Sequence, residues 1–204
     1  REAALKEKGI QFLGVGVSGG AKGARFGPSI MPGGSEAAYE LVRPIMEAVS
    51  AKVNGEPCVT YLGKSSAGNY VKMVHNGIEY GLMQLLAEAY DVLKRIGGLS
   101  NQQLHTVFSS WNTGRLKSFL VEITAQIFAQ PDDQGEGDLV DKIMDKAKQK
   151  GTGKWTSQNG MDLGIAVPTI DAAVSMRGIS SMKAERVAAE ERFSVCPLIL
   201  PATC

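Results

Sequence analysis

The sequence lacks several features that would assign it to a specialised class of protein. It has no run of about 18 apolar residues, the length needed to cross a bilayer. It has no excess of either charge, because 22 basic and 21 acidic residues leave a net charge of +1, which argues against a nucleic-acid or membrane surface as partner. Its three cysteines are odd in number, widely spaced and follow no metal-ligand spacing, which suits a reducing compartment better than a disulfide framework and predicts no metal site. We expect a soluble protein of a reducing compartment, by default the cytoplasm, with an organelle as the alternative.

Glycine, in contrast, is abundant and unevenly spread: eight of the 24 glycines lie within residues 14–34. Gly14, Gly16 and Gly19 match the G-x-G-x-x-G fingerprint of dinucleotide-binding folds, and Glu36 lies about 20 residues beyond it. We reject this match because the glycines and prolines that follow Gly19 would break the helix that must open there. Glu36 also begins a predicted helix, whereas the acidic residue of the fingerprint ends a second strand.

Two interpretations of the glycine segment stay open. It is either a turn without a ligand or a loop that contacts a substrate. We favour the second, in which Ser18, Gly19 and Gly20 present backbone N–H groups and a hydroxyl to an oxygen-rich ligand.

The first third of the chain carries both strand and helix signals. Residues 10–17 are apolar and partly alternating, which predicts a strand. Ser35 is placed to cap a helix over residues 36–52, which Pro44 should kink or split. Asn54–Gly55 predicts a turn, and residues 58–62 predict a second strand.

From about residue 67 onward the apolar residues recur at helical spacing, which predicts an all-α region. We expect a long helix over residues 67–96, a helix from a capping box at Ser100 and Gln103 to Trp111, and a helix over 115–130. The apolar face of a further helix is predicted at Leu139, Val140, Ile143, Met144 and Ala147. A glycine-spaced basic loop, residues 150–155, then precedes the last helices, which end near Phe193.

One face of the long helix combines groups that can perform acid–base chemistry. Between residues 70 and 87 the only charged residues are Lys72 and Glu79, and with His75 and Asn76 they follow an i, i+3, i+4, i+7 spacing. The other faces are apolar, which predicts a buried helix, and a buried lysine has a lowered pKa and can act as a base. The alternative is that Lys72 and Glu79 form a solvent-facing pair and that His75 is a core histidine with satisfied hydrogen bonds.

Three segments in the order 14–34, 71–81 (VKMVHNGIEYG) and 150–155 (KGTGKW) resemble the 6-phosphogluconate dehydrogenase family over roughly residues 5–193. The related β-hydroxyacid dehydrogenases share the lysine and asparagine four apart but lack the histidine, glutamate and tyrosine that follow, so we disfavour them. The resemblance implies the α/β end of a Rossmann-like nucleotide domain over residues 1–64 and a mostly all-α domain over 65–193. Residues 194–204 form a divergent tail.

The resemblance also implies roles for individual residues. Lys72 would be the base that takes the proton from the substrate 3-hydroxyl, and Glu79 would be the acid that protonates C1 of the enediol left after loss of CO₂. The carboxylate end and the hydroxyls of the substrate would be held by Ser18, Gly19, Gly20, His75 and Asn76. The phosphate would be held by Tyr80, Lys150, Thr152 and Arg177. Without the resemblance, Lys150 and Arg177 could equally be ordinary surface cations.

The family uses NADP as cofactor, forms homodimers and acts in the pentose phosphate pathway. Its nucleotide-binding residues are expected upstream of Arg1, and the rest of its helical domain is expected after Phe193. We therefore expect little or no turnover by the 204-residue chain alone. The alternative is a non-catalytic fragment that binds a sugar phosphate or pairs with a subunit.

Overall fold

The computed structural model describes residues 1–193 and divides into two compact units, residues 1–77 and the residues from Ile78 onward. The first unit combines strands with helices, and within the described residues the second is built from helices. The division falls inside the long helix α4 (Ala67–Asp91). This order matches the predicted fold class, the α/β end of a Rossmann-like domain followed by a helical domain.

The first unit is organised around two antiparallel strands. Its elements before α4 are α1 (Glu2–Lys6), β1 (Leu13–Ser18), α2 (Gly20–Phe26), β2 (Ser29–Gly34), α3 (Glu36–Val49), β3 (Lys52–Val53) and β4 (Glu56–Pro57). Strands β1 and β2 pair so that Leu13 lies opposite Gly34 and Ser18 opposite Ser29. Strand β2 was not predicted from the sequence, because its proline and two glycines are typical of a turn.

The prediction of a strand at residues 58–62 is wrong, because the segment is not a regular strand. The segment does lie beside β2, since Ile30 N–H donates to the Cys58 carbonyl at 2.9 Å and Leu62 N–H donates to the Pro32 carbonyl at 2.9 Å. Between these bonds, however, the Val59 N–H donates to the Pro57 carbonyl within its own segment. One parallel bridge between Ile30 and Val59 therefore replaces a ladder.

Helix α3 begins where the sequence predicts and is not split. The Ser35 hydroxyl accepts from the Ala38 N–H at 3.4 Å, which caps the first turn. Pro44 lies inside the continuous helix on its exposed side. Splitting is avoided because water can reach the carbonyl that Pro44 leaves without an N–H donor. The turn at Asn54–Gly55 is confirmed and joins β3 to β4, with φ values of 53° and 87°.

The second unit follows the predicted helical order more closely. After α4 come a π-helical turn (Val92–Ile96), α5 (Asn101–Trp111), α6 (Phe119–Phe128), a 3-10 turn (Leu139–Lys142), α7 (Thr152–Asp162), α8 (Pro168–Ser181) and α9 (Lys183–Arg192). The capping box at Ser100 and Gln103 is present. The core of this unit lies between α5 and α6 and consists of Leu104, Phe108, Val121, Ala125 and Phe128.

Two predicted features of the second unit are wrong. The helix predicted from Leu139 to Ala147 exists only as the four-residue 3-10 turn, because the side chains and backbone there are held by other elements. Asn101 Nδ2 donates to Asp138 and Asp141 at 2.7 Å each, and the Ala147 N–H donates to the Ser180 hydroxyl at 2.9 Å. The loop predicted at residues 150–155 is wrong from Thr152 onward, because α7 begins there and only Lys150 and Gly151 precede the helix.

Helix α4 is also less buried than its composition predicts. Five of its apolar side chains are 38% to 52% exposed: Tyr70, Val71, Ile78, Leu82 and Leu85. Burial was predicted because an apolar stripe on a helix usually packs against another element, and these side chains of α4 are only partly covered within the described residues. None of the helices within residues 1–193 is long and apolar enough to cross a membrane. The predicted tail, residues 194–204, lies outside the described residues.

Candidate active site

Three of the predicted polar residues meet on the first turns of α4. The Lys72 ammonium donates to Asn76 Oδ1 and lies 3.4 Å from His75 Nδ1, and His75 Nδ1 lies 3.4 Å from Asn76 Oδ1. All three side chains are half-buried. The spacing of three and four residues brings them together, as predicted from helical periodicity. The cluster supplies an amine, an imidazole and an amide, which together can hydrogen-bond the hydroxyls of a polyol.

Strand β1 lies directly against these turns of α4, and a glycine makes this approach possible. A Cβ built on Gly16 would lie 2.5 Å from Lys72 Cβ and 2.6 Å from the Gly68 carbonyl oxygen, closer than real Cβ contacts. Asn69 Nδ2 also donates to the Val15 carbonyl at 3.2 Å. In the sequence, Gly16 stands out only as part of a nucleotide fingerprint. Its packing against Lys72 could not be predicted, because it depends on which helix lies against β1.

Ser18, Gly19 and Gly20 lie where β1 ends and α2 begins. Ser18 is two residues after Gly16 and so faces the same side of the strand. Gly19 and Gly20 have φ values of 140° and 56°, which favour glycine. The Gly23 N–H donates to the Gly19 carbonyl at 2.8 Å and closes the first turn of α2.

This glycine turn does not fit the pyrophosphate of a dinucleotide. The expectation that the glycines would break any helix is wrong, because α2 begins at Gly20. That helix has only seven residues, however, and it joins two antiparallel strands. The dinucleotide fingerprint requires a helix between parallel strands. We therefore assign no NADP contact to this turn.

In the second unit the predicted phosphate residues Tyr80 and Arg177 are in contact. The guanidinium carbon of Arg177, on α8, lies 3.8 Å from the centroid of the Tyr80 ring, on α4. Arg177 Nη1 donates to the Lys148 carbonyl at 2.8 Å, and Nη2 lies 3.7 Å from Met83 Sδ. Tyr80 is only 9% exposed. The arginine is thus fixed by a ring, a carbonyl and a thioether. The roles of Lys148 and Met83 could not be predicted from the sequence, because both residues are distant from Arg177 in the chain.

The start of α7 brings a third element to the same ring. Gly151, with a φ of 109°, precedes Thr152, the first residue of the helix. A Cβ built on Gly153 would overlap the Tyr80 ring. Lys150 is exposed and lies two residues before the helix starts. The N-terminus of an α-helix favours bound anions, because its first N–H groups point outward.

Glu79 is half-buried on α4, next to Tyr80 in sequence. Because α4 is continuous from Ala67 to Asp91, the seven-residue spacing between Lys72 and Glu79 has the predicted helical geometry. Of the predicted residues, Lys72 contacts His75 and Asn76 in the first unit, and Tyr80 contacts Arg177 in the second.

Two family models match the chain. The model described as "6-phosphogluconate dehydrogenase, C-terminal domain" matches residues 68–199. The model described as "NAD binding domain of 6-phosphogluconate dehydrogenase" matches residues 1–63.

Individual proteins give the same result. The chain is 58% identical over 203 residues to the NADP(+)-dependent, decarboxylating 6-phosphogluconate dehydrogenase of Bacillus subtilis (strain 168), covering 100% of this chain and 43% of that protein. It is 58% identical to decarboxylating 6-phosphogluconate dehydrogenase 1 of Spinacia oleracea, covering 95% of this chain and 40% of that protein. The chain thus spans about two fifths of the length of these relatives.

A solved structure agrees closely with the fold. The chain matches Plasmodium falciparum 6-phosphogluconate dehydrogenase with a TM-score of 0.92 and 51% identity, covering 100% of this chain and 44% of that one. The Plasmodium enzyme is described in its apo form, in complex with its cofactor NADP+ and in complex with its substrate 6-phosphogluconate.

Proposed function

The chain belongs to the 6-phosphogluconate dehydrogenase family, and from this membership we propose that it carries the substrate-binding and acid–base residues of a decarboxylating, NADP-dependent enzyme. The reaction converts 6-phosphogluconate to ribulose 5-phosphate and CO₂ with reduction of NADP, a step of the pentose phosphate pathway. The observation that carries the proposal is the cluster of Lys72, His75 and Asn76 on one face of α4.

The first step requires a base at the substrate 3-hydroxyl. Lys72 in its neutral form accepts the hydroxyl proton, while bound NADP would accept the hydride that leaves C3. His75 and Asn76 hold the neighbouring hydroxyls and keep the Lys72 nitrogen in place, since both lie within hydrogen-bond reach of it. Such positioning matters because the proton must leave the 3-hydroxyl oxygen as the hydride leaves C3, the carbon that carries this oxygen.

The second step is loss of CO₂ from the β-keto acid, and the third is protonation of the enediol. Lys72, now protonated, polarises the C3 carbonyl and stabilises the negative charge that develops on its oxygen when the bond between the carboxylate carbon C1 and C2 breaks. Lys72 returns its proton to that oxygen, which gives an enediol. Glu79 then donates a proton to the terminal carbon of the enediol while Lys72 takes the hydroxyl proton back, so that the product is a ketone. A base and an acid on one continuous helix supply these proton transfers.

The remaining proposed residues hold the two ends of the substrate. Ser18, Gly19 and Gly20 offer a hydroxyl and N–H groups to the carboxylate end. Arg177 offers a planar guanidinium to the phosphate, and Tyr80, Lys150 and Thr152 supply a hydroxyl, an ammonium and the start of α7. The proposal includes a homodimer in the cytoplasm or an organelle, as the family resemblance implies.

Product stoichiometry tests the proposed reaction. Protein that contains this sequence, supplied with 6-phosphogluconate and NADP, should form NADPH and CO₂ in equal amounts. We would measure NADPH by its absorbance and CO₂ from substrate labelled at C1. Release of NADPH without CO₂ would indicate a simple β-hydroxyacid dehydrogenase. Binding of the sugar phosphate without either product would favour the non-catalytic alternative.

A further inference from the structure

The first turn of α7 lies against the ring of Tyr80, and this contact depends on the absence of a side chain at residue 153. A Cβ built on Gly153 would overlap Cδ2 and Cε2 of the ring and lie 3.1 Å from Cγ2 of Val174. Gly153 is buried. It is not among the glycines with positive φ, so the backbone there would accept another residue. Since glycine weakens a helix relative to alanine, close packing is the physical reason for glycine at this position.

Tyr80 in turn supports the arginine proposed to bind phosphate. The Arg177 guanidinium carbon lies 3.8 Å from the ring centroid, close enough for a strong cation–π contact. The same guanidinium donates to the carbonyl of Lys148, in the segment that leads into α7. Elements α4, α7 and α8 therefore meet at one ring, and a displacement of that ring moves the guanidinium.

We propose that Gly153 is a positioning residue for the phosphate end of the substrate. It acts through Tyr80: the bare backbone lets the ring lie where it supports the Arg177 guanidinium in an orientation suited to a phosphate. This inference rests on the proposed function, because it requires that Tyr80 and Arg177 bind the phosphate of 6-phosphogluconate. Gly153 itself touches neither the substrate nor the reacting atoms.

The test compares two ligands that differ only in the phosphate. We would titrate the 204-residue chain with 6-phosphogluconate and with gluconate by isothermal calorimetry. Gly153→Ala should weaken 6-phosphogluconate binding about tenfold, the scale of a lost charged hydrogen bond, and leave gluconate binding unchanged. Gly178→Ala is the matched control, because this glycine lies in α8 beside Arg177 and a Cβ there meets nothing within 4 Å. It should leave both affinities unchanged.

A double-mutant cycle separates positioning from a general structural effect. If Gly153 acts through the ring, Gly153→Ala should have no further effect on 6-phosphogluconate binding in a Tyr80→Ala background. If Gly153→Ala alone loses its fold by circular dichroism, Tyr80→Ala should restore it, since the overlapping ring is then gone.

Several results would overturn the inference. In the calorimetry these are an unchanged affinity of Gly153→Ala for 6-phosphogluconate, or an equal loss of affinity for gluconate. In the double-mutant cycle they are an effect of Gly153→Ala on 6-phosphogluconate binding that persists in the Tyr80→Ala background, or a loss of fold that Tyr80→Ala does not restore. These leave the proposed function standing. A wild-type chain that binds 6-phosphogluconate no better than gluconate would overturn the proposed function, and the inference with it.

Discussion

At the scale of single residues, the site depends as much on absent side chains as on present ones. Lys72 reaches Asn76 and His75 because helical spacing puts them on one face. Its backbone can lie against β1 only because Gly16 has no Cβ. The chemical groups could be predicted from the sequence, since they follow helical periodicity. The need for glycine at position 16 could not be predicted, because its partner Lys72 is 56 positions away in the chain.

The proposed role of Lys72 as base leads to a prediction about rate. In protein that contains this sequence, Lys72→Ala should lower the turnover of 6-phosphogluconate by roughly 100-fold to 10,000-fold, the usual contribution of a general base. The initial rate of NADPH formation at saturating substrate measures this effect. Lys64→Ala, which removes an exposed lysine of the same unit, is the control and should retain the wild-type rate. Turnover by Lys72→Ala within threefold of wild type would assign the base to another group.

At the scale of secondary-structure elements, local signals predicted helix starts well. Ser35, Ser100 and Ser118 each accept from a backbone N–H three residues later and begin α3, α5 and α6. The first two were predicted because a cap is a contact between near neighbours. The predicted start of α6 at residue 115 is too early, because Ser118 caps the helix and Phe119 is its first residue. The N–H of Ser118 donates to Asn112 Oδ1 at 3.0 Å.

The capping box of α5 supplies a stability prediction. Ser100→Ala should reduce the free energy of unfolding by about 1 kcal/mol, because it removes the hydroxyl that accepts from the Gln103 N–H. Urea unfolding followed by tryptophan fluorescence measures this, since Trp111 and Trp155 both lie in the second unit. Ser110→Ala, an exposed serine in the last turn of α5, should change the free energy by less than about 0.5 kcal/mol. Equal effects of the two variants would contradict the role of the cap.

Secondary structure was predicted less well where contacts between residues distant in the chain determine it. Residues 139–147 have helical periodicity, yet they are held by Asn101 of α5, by Ser180 of α8 and by α9. The first turn of α7 is predicted as a loop because glycines at 151 and 153 favour one, whereas Gly153 is a helical residue that packs against the Tyr80 ring. In both cases a partner far away in the chain outweighs local preference.

The contact between this segment and α9 predicts a pH dependence. Hydrogen bonds from Lys183 and Arg186 lower the pKa of Asp145 from 3.8 to about 2. Because the folded state binds the proton less tightly, the ionised carboxylate stabilises the fold above pH 3.8, and this stabilisation is lost as the pH falls toward 2. The effect is small, since Asp145 is exposed and the contact is screened by solvent.

Thermal unfolding between roughly pH 5 and pH 2 tests this dependence. The wild-type Tm should fall more steeply with decreasing pH than the Tm of Asp145→Asn, which has no carboxylate to titrate. Asp133→Asn, in the exposed loop before the 3-10 turn, is the control and should keep the wild-type slope. Parallel curves for wild type and Asp145→Asn would show that the pairing has no role in stability.

At the scale of the whole molecule, the family could be predicted from three short motifs, and it agrees with the family models that match residues 1–63 and 68–199. The helical character from about residue 67 onward could be predicted from the spacing of the apolar residues, and the described part of the second unit is helical. The exposure of apolar side chains was harder to predict. The apolar stripe of α4 is exposed at Ile78, Leu82 and Leu85, a property that periodicity cannot give because it depends on what covers the helix.

We propose above all that this chain holds 6-phosphogluconate with residues on α4 and with Arg177. A crystal structure of the chain grown with 6-phosphogluconate tests the claim most directly. We predict the substrate hydroxyls within hydrogen-bond distance of Lys72, His75 and Asn76, and the phosphate against the Arg177 guanidinium. A sugar phosphate bound elsewhere, or no bound substrate at a concentration that saturates the protein in solution, would contradict the account.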